Sequence, residues 1–171
     1  QKRMTNWWNK KKSIHSNLLH TIAQKMPGSD DDFKTLKEII NDNPNAIDTL
    51  RTIVGVTDKR MYLELSYIFN KQRINKNSDK NLLGESIYLL KKHSVRYFKS
   101  KIRNQTNGNE VLNVIAKYLE DKGVLSILHV FKKMKLEEVS TIVDKLLLPK
   151  EIQQEETKRR GHGAEKELAK V

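Results

Sequence analysis

Lys59-Arg-Met-Tyr-Leu-Glu-Leu-Ser-Tyr-Ile-Phe-Asn70 is the stretch that decides the fold, because as a helix it is apolar on more than one side. Such a helix has to be covered by neighbours in several directions, which is the environment of a core. We therefore predict that it is the central helix of the fold. The alternation in Leu63-Glu-Leu-Ser-Tyr67 also fits a β-strand, and the sequence leaves that alternative open.

Apolar residues recur at helical spacing on both sides of this stretch. One helical face is predicted by residues spaced four apart, namely Ile14, Leu18, Ile22 and Met26. Further periodic segments begin near Phe33, Ala46, Glu85, Glu110, Val124 and Leu136. We therefore predict an all-α fold, an irregular bundle of about six to eight helices.

Changes in composition divide the chain into three parts. Residues 1–12 form a basic N-terminal segment, residues 13–148 form the helical domain, and residues 149–171 form a linker and the start of a further helix. Pro149 marks the second boundary, because a proline disrupts the interior of a helix.

Composition excludes several classes of protein. The chain has no cysteine, which rules out a disulfide framework and a cysteine-based metal site. No apolar run approaches the roughly 18–20 residues that a membrane span needs, so we expect no membrane partner. Both features are compatible with a cytoplasmic protein, which is our expectation. The sequence also lacks a glycine-rich phosphate loop, a Ser/His/Asp order and an HExxH motif.

Positive charge is concentrated in two blocks. The formal net charge is +12; residues 1–12 hold five cations and no acid, and residues 71–103 hold ten cations against Asp79 and Glu85. A basic face of this kind favours a polyanion, and we expect nucleic acid, double-stranded DNA first. The expected contacts are Lys10, Lys11, Lys12, Arg73, Lys76, Lys91, Lys92, Arg96, Lys99, Lys101, Arg103, Arg159 and Arg160. The alternative is charge that serves solubility alone.

Three other groups of residues suggest a chemical role, and in each case the sequence favours a structural explanation or no site. Trp7 and Trp8 lie beside lysines and can stack on bases, but core packing is the favoured interpretation. The acidic triplet Asp30 to Asp32 lacks the ligand spacing of a calcium loop, so we expect Ser29 and the triplet to cap a helix. His15 and His20 are five residues apart and do not share a helical face, so no metal site is expected there.

The C-terminal stretch Gly161-His-Gly-Ala-Glu165-Lys-Glu-Leu-Ala169 follows Arg159 and Arg160. Its Gly-x-x-x-Glu-x-x-x-Ala pattern resembles the first helix of the PD-(D/E)XK nuclease core, which many type II restriction endonucleases and archaeal Holliday-junction resolvases share. Gly163 is an addition to that pattern. The resemblance implies that the chain is the helical region in front of an α/β nuclease core and is compatible with a homodimer.

In that family a metal-binding Asp and a Glu-x-Lys lie on adjacent strands and hold Mg²⁺. The resemblance implies that Glu165 supports the metal and that Arg159 and Arg160 touch phosphates. The only Glu-x-Lys strings of the sequence lie in stretches predicted to be helical, so we expect no cofactor and no catalysis in this chain alone, and Mg²⁺ only in a complete nuclease.

Three functions therefore remain: a DNA-binding region of a restriction-type endonuclease, a non-enzymatic helical module that binds nucleic acid, and an α-helical protein-interaction module with an acidic partner.

Overall fold

A computed structural model describes residues 2–76, 94–105 and 108–151. This part of the chain contains eight α-helices and no strand, which confirms the predicted all-α fold. The helices are α1 (Lys2–Lys25), α2 (Asp32–Asp42), α3 (Ala46–Val54), α4 (Asp58–Lys76), α5 (Arg96–Arg103), α6 (Gly108–Asp121), α7 (Val124–Lys132) and α8 (Leu136–Ile142). Across these ranges, no helix is both long enough and apolar enough to cross a membrane.

The first helix is longer than its apolar pattern predicts. It runs without a break from Lys2 to Lys25, so the basic N-terminal residues and the predicted apolar stripe belong to one element. The buried face agrees with the predicted one at Ile22 and Met26, but it also includes Leu19 and Ala23, whereas Ile14 is 51% exposed. The reason is that the buried face continues through two polar residues, His15 and Ser16, which an apolar pattern cannot detect.

Two helices, α1 and α6, occupy the middle of the bundle. α1 packs mainly against α3, α7 and α8, and α6 packs mainly against α2, α4, α5 and α7. The predicted central helix, α4, is indeed a helix and not a strand. Met61, Tyr62, Leu65 and Phe69 are fully buried, and Leu63 and Ile68 are partly buried against the core, while Tyr67 is 68% exposed. Among the described helices, α1 and α6 have more helical neighbours than α4.

The short helix α5 is fixed by an aromatic cluster and by a carboxylate at its start. The ring of Phe98 lies 5.6 Å from the ring of Tyr62, 6.3 Å from that of Phe69 and 5.3 Å from that of Tyr97, measured between centroids. At the N-terminus, the Val95 N–H donates to Asp58 Oδ1 at 2.7 Å. A negative charge near the start of a helix is favourable, because the first N–H groups lack partners within the helix.

Ser29 and the acidic triplet stabilise the start of α2. The Ser29 hydroxyl accepts a hydrogen bond from the Asp31 N–H at 3.3 Å, although the Asp31 side chain itself makes no capping hydrogen bond. In addition, the buried carboxylate of Asp32 accepts a hydrogen bond from the Gly28 N–H at 2.8 Å and contacts His129 Nε2 at 2.7 Å. Asp32 therefore fixes both the turn before α2 and the position of α7.

The helical backbone also passes the boundary predicted at Pro149. A π-helical turn, Val143–Leu147, follows α8 directly, and residues 148–151 are again α-helical. In that turn the Leu148 N–H bonds to the Val143 carbonyl, five residues back. The wider turn lies directly before Pro149, where a proline removes a donor from the regular ladder. Glu151 thus belongs to the bundle and is buried in it.

The burial of Phe98 gives a first prediction. We expect Phe98→Ala to lower the free energy of unfolding by about 3–5 kcal/mol, since it removes the ring that joins α5 to α4 and leaves a cavity. Urea denaturation followed by circular dichroism at 222 nm, the usual helix band, measures this change. Leu146→Ala is the control, because this side chain is 59% exposed and its loss should cost at most about 0.5 kcal/mol. Equal losses in the two variants would contradict the described packing of α5.

Candidate nucleic-acid interface

The eight residues of α5, Arg-Tyr-Phe-Lys-Ser-Lys-Ile-Arg, contain four cations and no acid. Phe98 and Ile102 are buried, so the opposite side of the helix is set by the 3.6-residue period. Arg96, Ser100 and Arg103 lie on that side, and all three are exposed. The helix therefore presents two arginines in one line because its two apolar residues face the core.

Three cations of α5 keep their charge available to a partner. Arg96 and Arg103 form no ion pair with any described residue. One guanidinium nitrogen of Arg103 donates to Asn45 Oδ1 at 2.8 Å, which orients the group but does not neutralise it, because the amide is uncharged. The ammonium of Lys101 lies 5.1 Å from the centroid of the Tyr97 ring, a cation–π contact that likewise leaves the charge intact.

Lys99, the fourth cation, has a structural role. Its Nζ lies 2.6 Å from Asp48 Oδ2, and its side chain is only 13% exposed. Asp48 is in the first turn of α3, so the pair ties α5 to α3. Because the charge of Lys99 already has a carboxylate partner, we assign this residue to the fold rather than to the surface that meets a polyanion.

The predicted cations of α1 likewise include exposed residues and residues that are paired with an acid. Lys10 is exposed, and Lys12 is half-buried near Asp144. Lys11 Nζ lies 2.8 Å from Glu151 Oε1 and 4.8 Å from the centroid of the Trp7 ring. Lys11 therefore holds α1 to the residues after α8.

Trp8 serves the fold as well, in agreement with the core interpretation of the tryptophans. The ring is partly buried against the hydrophobic core, and its Nε1–H donates to Asp144 Oδ1 at 2.5 Å. This hydrogen bond is the main cause that holds the pKa of Asp144 below its ordinary value. Trp7 is half-buried and carries Lys11 over its ring.

A polar cluster that the sequence did not predict lies where α1 and α3 meet residues 148–151. Besides Lys11, the carboxylate of Glu151 is approached by Arg51, with 3.6 Å between Nη2 and Oε1. In the same region His15 Nδ1 and Thr49 Oγ1 are 2.8 Å apart and buried. Burial lowers the pKa of His15, and the nearby charge of Glu151 opposes that effect only in part. His15 is therefore neutral in the fold at neutral pH.

Several predicted contacts lie where no side chain is described. Arg73 and Lys76 belong to the last turns of α4, and only the backbone is described there. Lys91, Lys92, Arg159, Arg160 and Glu165 lie outside the described residues. Within the described ranges, no three His, Asp or Glu side chains are grouped to hold a metal ion. Among the described residues, the predicted contacts therefore fall into two groups, one on α5 and the other on α1.

Comparison of the chain with models of protein families, with characterised proteins and with solved structures found no match. The site is therefore interpreted from its own geometry and charge.

The buried state of His15 gives a prediction about acid. The pKa of His15 is lower in the fold than its ordinary value of about 6.5, so its stabilising contribution is complete above that value and is lost as the pH falls through the folded pKa. The free energy of unfolding should therefore decrease between about pH 7.5 and 5, because the unfolded state binds the proton more readily.

The His15→Asn variant keeps a polar atom near the position of Nδ1 but does not titrate in this range. It should be less stable than the unaltered protein at pH 7.5 and should lose less stability on acidification. Urea denaturation at the two pH values measures both effects. An identical loss on acidification in the two proteins would show that His15 is not buried in its neutral form.

Proposed function

We propose that this chain binds the phosphate backbone of nucleic acid, double-stranded DNA first, through the exposed cations of α5. One observation carries the proposal: a short helix with four cations and no acid exposes Arg96 and Arg103 in one line, without a carboxylate partner among the described residues. An ordinary solvated helix of a stable bundle mixes charges of both signs on its outer side. α5 does not.

The geometry suits phosphates rather than base edges. Arg96 and Arg103 are seven residues apart, which places them about 10.5 Å apart along the helix axis. Each guanidinium has a planar fork of donors that matches two phosphate oxygens, and Asn45 orients one of the forks in advance. Contacts of this type fix the position of a protein on a duplex but carry no sequence information. The affinity contributed by α5 should therefore be the same for any base sequence.

The nuclease resemblance at residues 161–169 is the reason for placing this binding surface in a restriction-type endonuclease. In that setting the role of the helical bundle is to hold the duplex, Arg159 and Arg160 add phosphate contacts, and Glu165 supports a Mg²⁺ ion. The Glu-x-Lys string Glu120-Asp121-Lys122 lies at the end of α6 and not on a strand, so no catalytic Asp and Glu-x-Lys pair is assigned to the described residues.

A triple substitution tests the role of α5. In Arg96→Gln/Lys101→Gln/Arg103→Gln we expect weaker binding to every duplex sequence, because three phosphate contacts are lost. The slope of log K against log salt should become less steep by roughly 0.9 for each contact, or about 2.7 in total. Fluorescence anisotropy with a labelled duplex at several salt concentrations measures both quantities. Lys99 is left unchanged, because its removal would leave Asp48 without a partner.

The matched control removes the same charge from a different surface. Lys25, Lys34 and Lys133 are exposed, lie outside both basic blocks and form no ion pair with described residues. Replacing these three lysines with Gln should leave the salt slope within about 0.5 of the original. An equal decrease in the two triple variants would show that binding follows net charge alone. Unchanged duplex affinity in the α5 variant would favour the protein-interaction module.

The missing nuclease strands give a further prediction. The purified chain should not cleave plasmid DNA in the presence of Mg²⁺ or Mn²⁺, since metal-dependent hydrolysis needs carboxylates that converge on an ion. Gel electrophoresis of supercoiled plasmid checks this, with Glu165→Ala as the control for contaminating nuclease. Cleavage that disappears in Glu165→Ala would contradict the prediction and place an active site in this chain.

A further inference from the structure

A groove lies between α4 and the C-terminal end of α6, away from the basic surface of α5. Its volume is about 450 Å³, and its floor is apolar through Leu63 and Ile68. Tyr67 stands at its edge with 68% of its surface exposed, although it is flanked by residues that pack inward. An exposed aromatic ring beside an apolar groove leaves a large surface for a flat partner.

Glu64 is the central residue on the polar side of the groove, and both of its carboxylate oxygens accept hydrogen bonds. Its Oε1 accepts from Arg60 Nε at 3.0 Å, and its Oε2 accepts from the Tyr118 hydroxyl at 2.5 Å. Lys122 Nζ is 3.6 Å from the same Oε2. Burial acts to raise the pKa of Glu64, but the hydrogen bonds from Tyr118 and Arg60 together with the Lys122 charge outweigh it and lower the pKa.

The groove is lined by two cations, Arg60 and Lys122, and by two acids, Glu64 and Asp121. Both cations lie close to Glu64 but are more exposed than it is: the side chains of Arg60 and Lys122 are 66% and 42% exposed, and that of Glu64 is 23% exposed. Asp121 is 3.3 Å from the ammonium of Lys117, which also pairs with Glu120 at 3.0 Å. Lys71 lies on the same side of α4 as Arg60 and Tyr67, because the three residues are spaced i, i+7 and i+11 along the helix. The exposed ring thus lies between Arg60 and Lys71 along one side of α4, which also carries Glu64, the partner of Arg60.

An exposed aromatic ring between cations is the arrangement that single-stranded nucleic acid requires. Bases stack on the ring whatever their identity, and the cations follow the phosphates. An apolar peptide would use the floor of the groove but would gain nothing from Arg60, Lys71 and Lys122. A duplex would use the cations but would offer no free base face to Tyr67. Charge and shape together therefore favour an unpaired nucleotide over both.

We propose that this groove binds an unpaired nucleotide of a nucleic-acid strand, with the base stacked on Tyr67 and the flanking phosphates facing Arg60, Lys71 and Lys122. The inference rests on the proposed nucleic-acid binding and deepens it, since it adds a site for unpaired bases to the duplex surface of α5. The two surfaces are separate, because Tyr62 and Phe69 turn the opposite side of α4 towards α5.

The test uses the full chain and a fluorescein-labelled oligo-dT of about 15 nucleotides, within the site sizes of single-strand binders. Tyr67→Ala should weaken binding of this oligonucleotide about tenfold or more, as expected for the loss of one stacked base. Tyr67→Phe keeps the ring and should bind within about twofold of the unaltered chain. Lys71→Gln should make the salt slope less steep by roughly 0.7, whereas the control Lys34→Gln should not change it.

Duplex binding in the same variants separates this inference from the proposed function. Tyr67→Ala should bind a duplex as well as the unaltered chain does, because no base face is available there. Undiminished oligo-dT affinity in Tyr67→Ala would overturn the groove inference even if the α5 variant still loses duplex affinity. An equal loss for duplex and oligo-dT, or an equal loss in Tyr67→Phe, would overturn it as well. A loss of oligo-dT binding in Tyr67→Ala together with an unaffected α5 variant would support the groove and reject α5 as the duplex surface.

Discussion

The contact between Phe98 and the rings of α4 determines where the basic surface lies. A helix of eight residues is not stable in water by itself, so α5 exists only because its apolar side is buried. Once Phe98 and Ile102 face the core, the helical period assigns the remaining positions to solvent, and those positions carry the cations. Asp58 accepts a hydrogen bond from the Val95 N–H, directly before the first residue of α5, and so helps to fix where the helix begins. The position of the positive charge is therefore mainly a result of aromatic packing, to which the Lys99–Asp48 ion pair with α3 adds a second fixed point.

Carboxylate partners separate two kinds of cation that look alike in the sequence. Lys99 and Lys11 are each paired with an acid and partly buried, and each joins two elements of the bundle. Removing one member of such a pair leaves the other without compensation, so these lysines are expected to matter for the fold. Arg96 and Lys101 have no such partner among the described residues and are available to a ligand. Net charge alone cannot make this distinction, because it depends on which acids lie nearby in space.

Most of the fold could be predicted from the sequence, but less of the site could. The helices were predictable because their apolar residues repeat at helical spacing, and α6 ends before Gly123, which adopts the left-handed conformation that glycine tolerates best. The inner face of α1 could not be predicted, because polar residues such as His15 continue it. The partners of Lys11 and Trp8 could not be predicted either, since Glu151 and Asp144 lie 140 and 136 residues further along the chain. The basic character of α5 was predicted, whereas the internal role of Lys99 depends on a residue of α3.

The contacts of α1 also have a consequence for the order in which the chain folds. α1 is covered in large part by α7, α8 and the residues around Glu151, which come much later in the chain. Contacts between such distant positions require a large loop to close, and they form slowly for that reason. During synthesis α3 can cover part of α1 early, but the face of α1 that packs against α7 and α8 cannot be buried until residues 124–142 have been made. Until then that apolar face is exposed on the nascent chain, and exposed apolar surface of this kind favours aggregation.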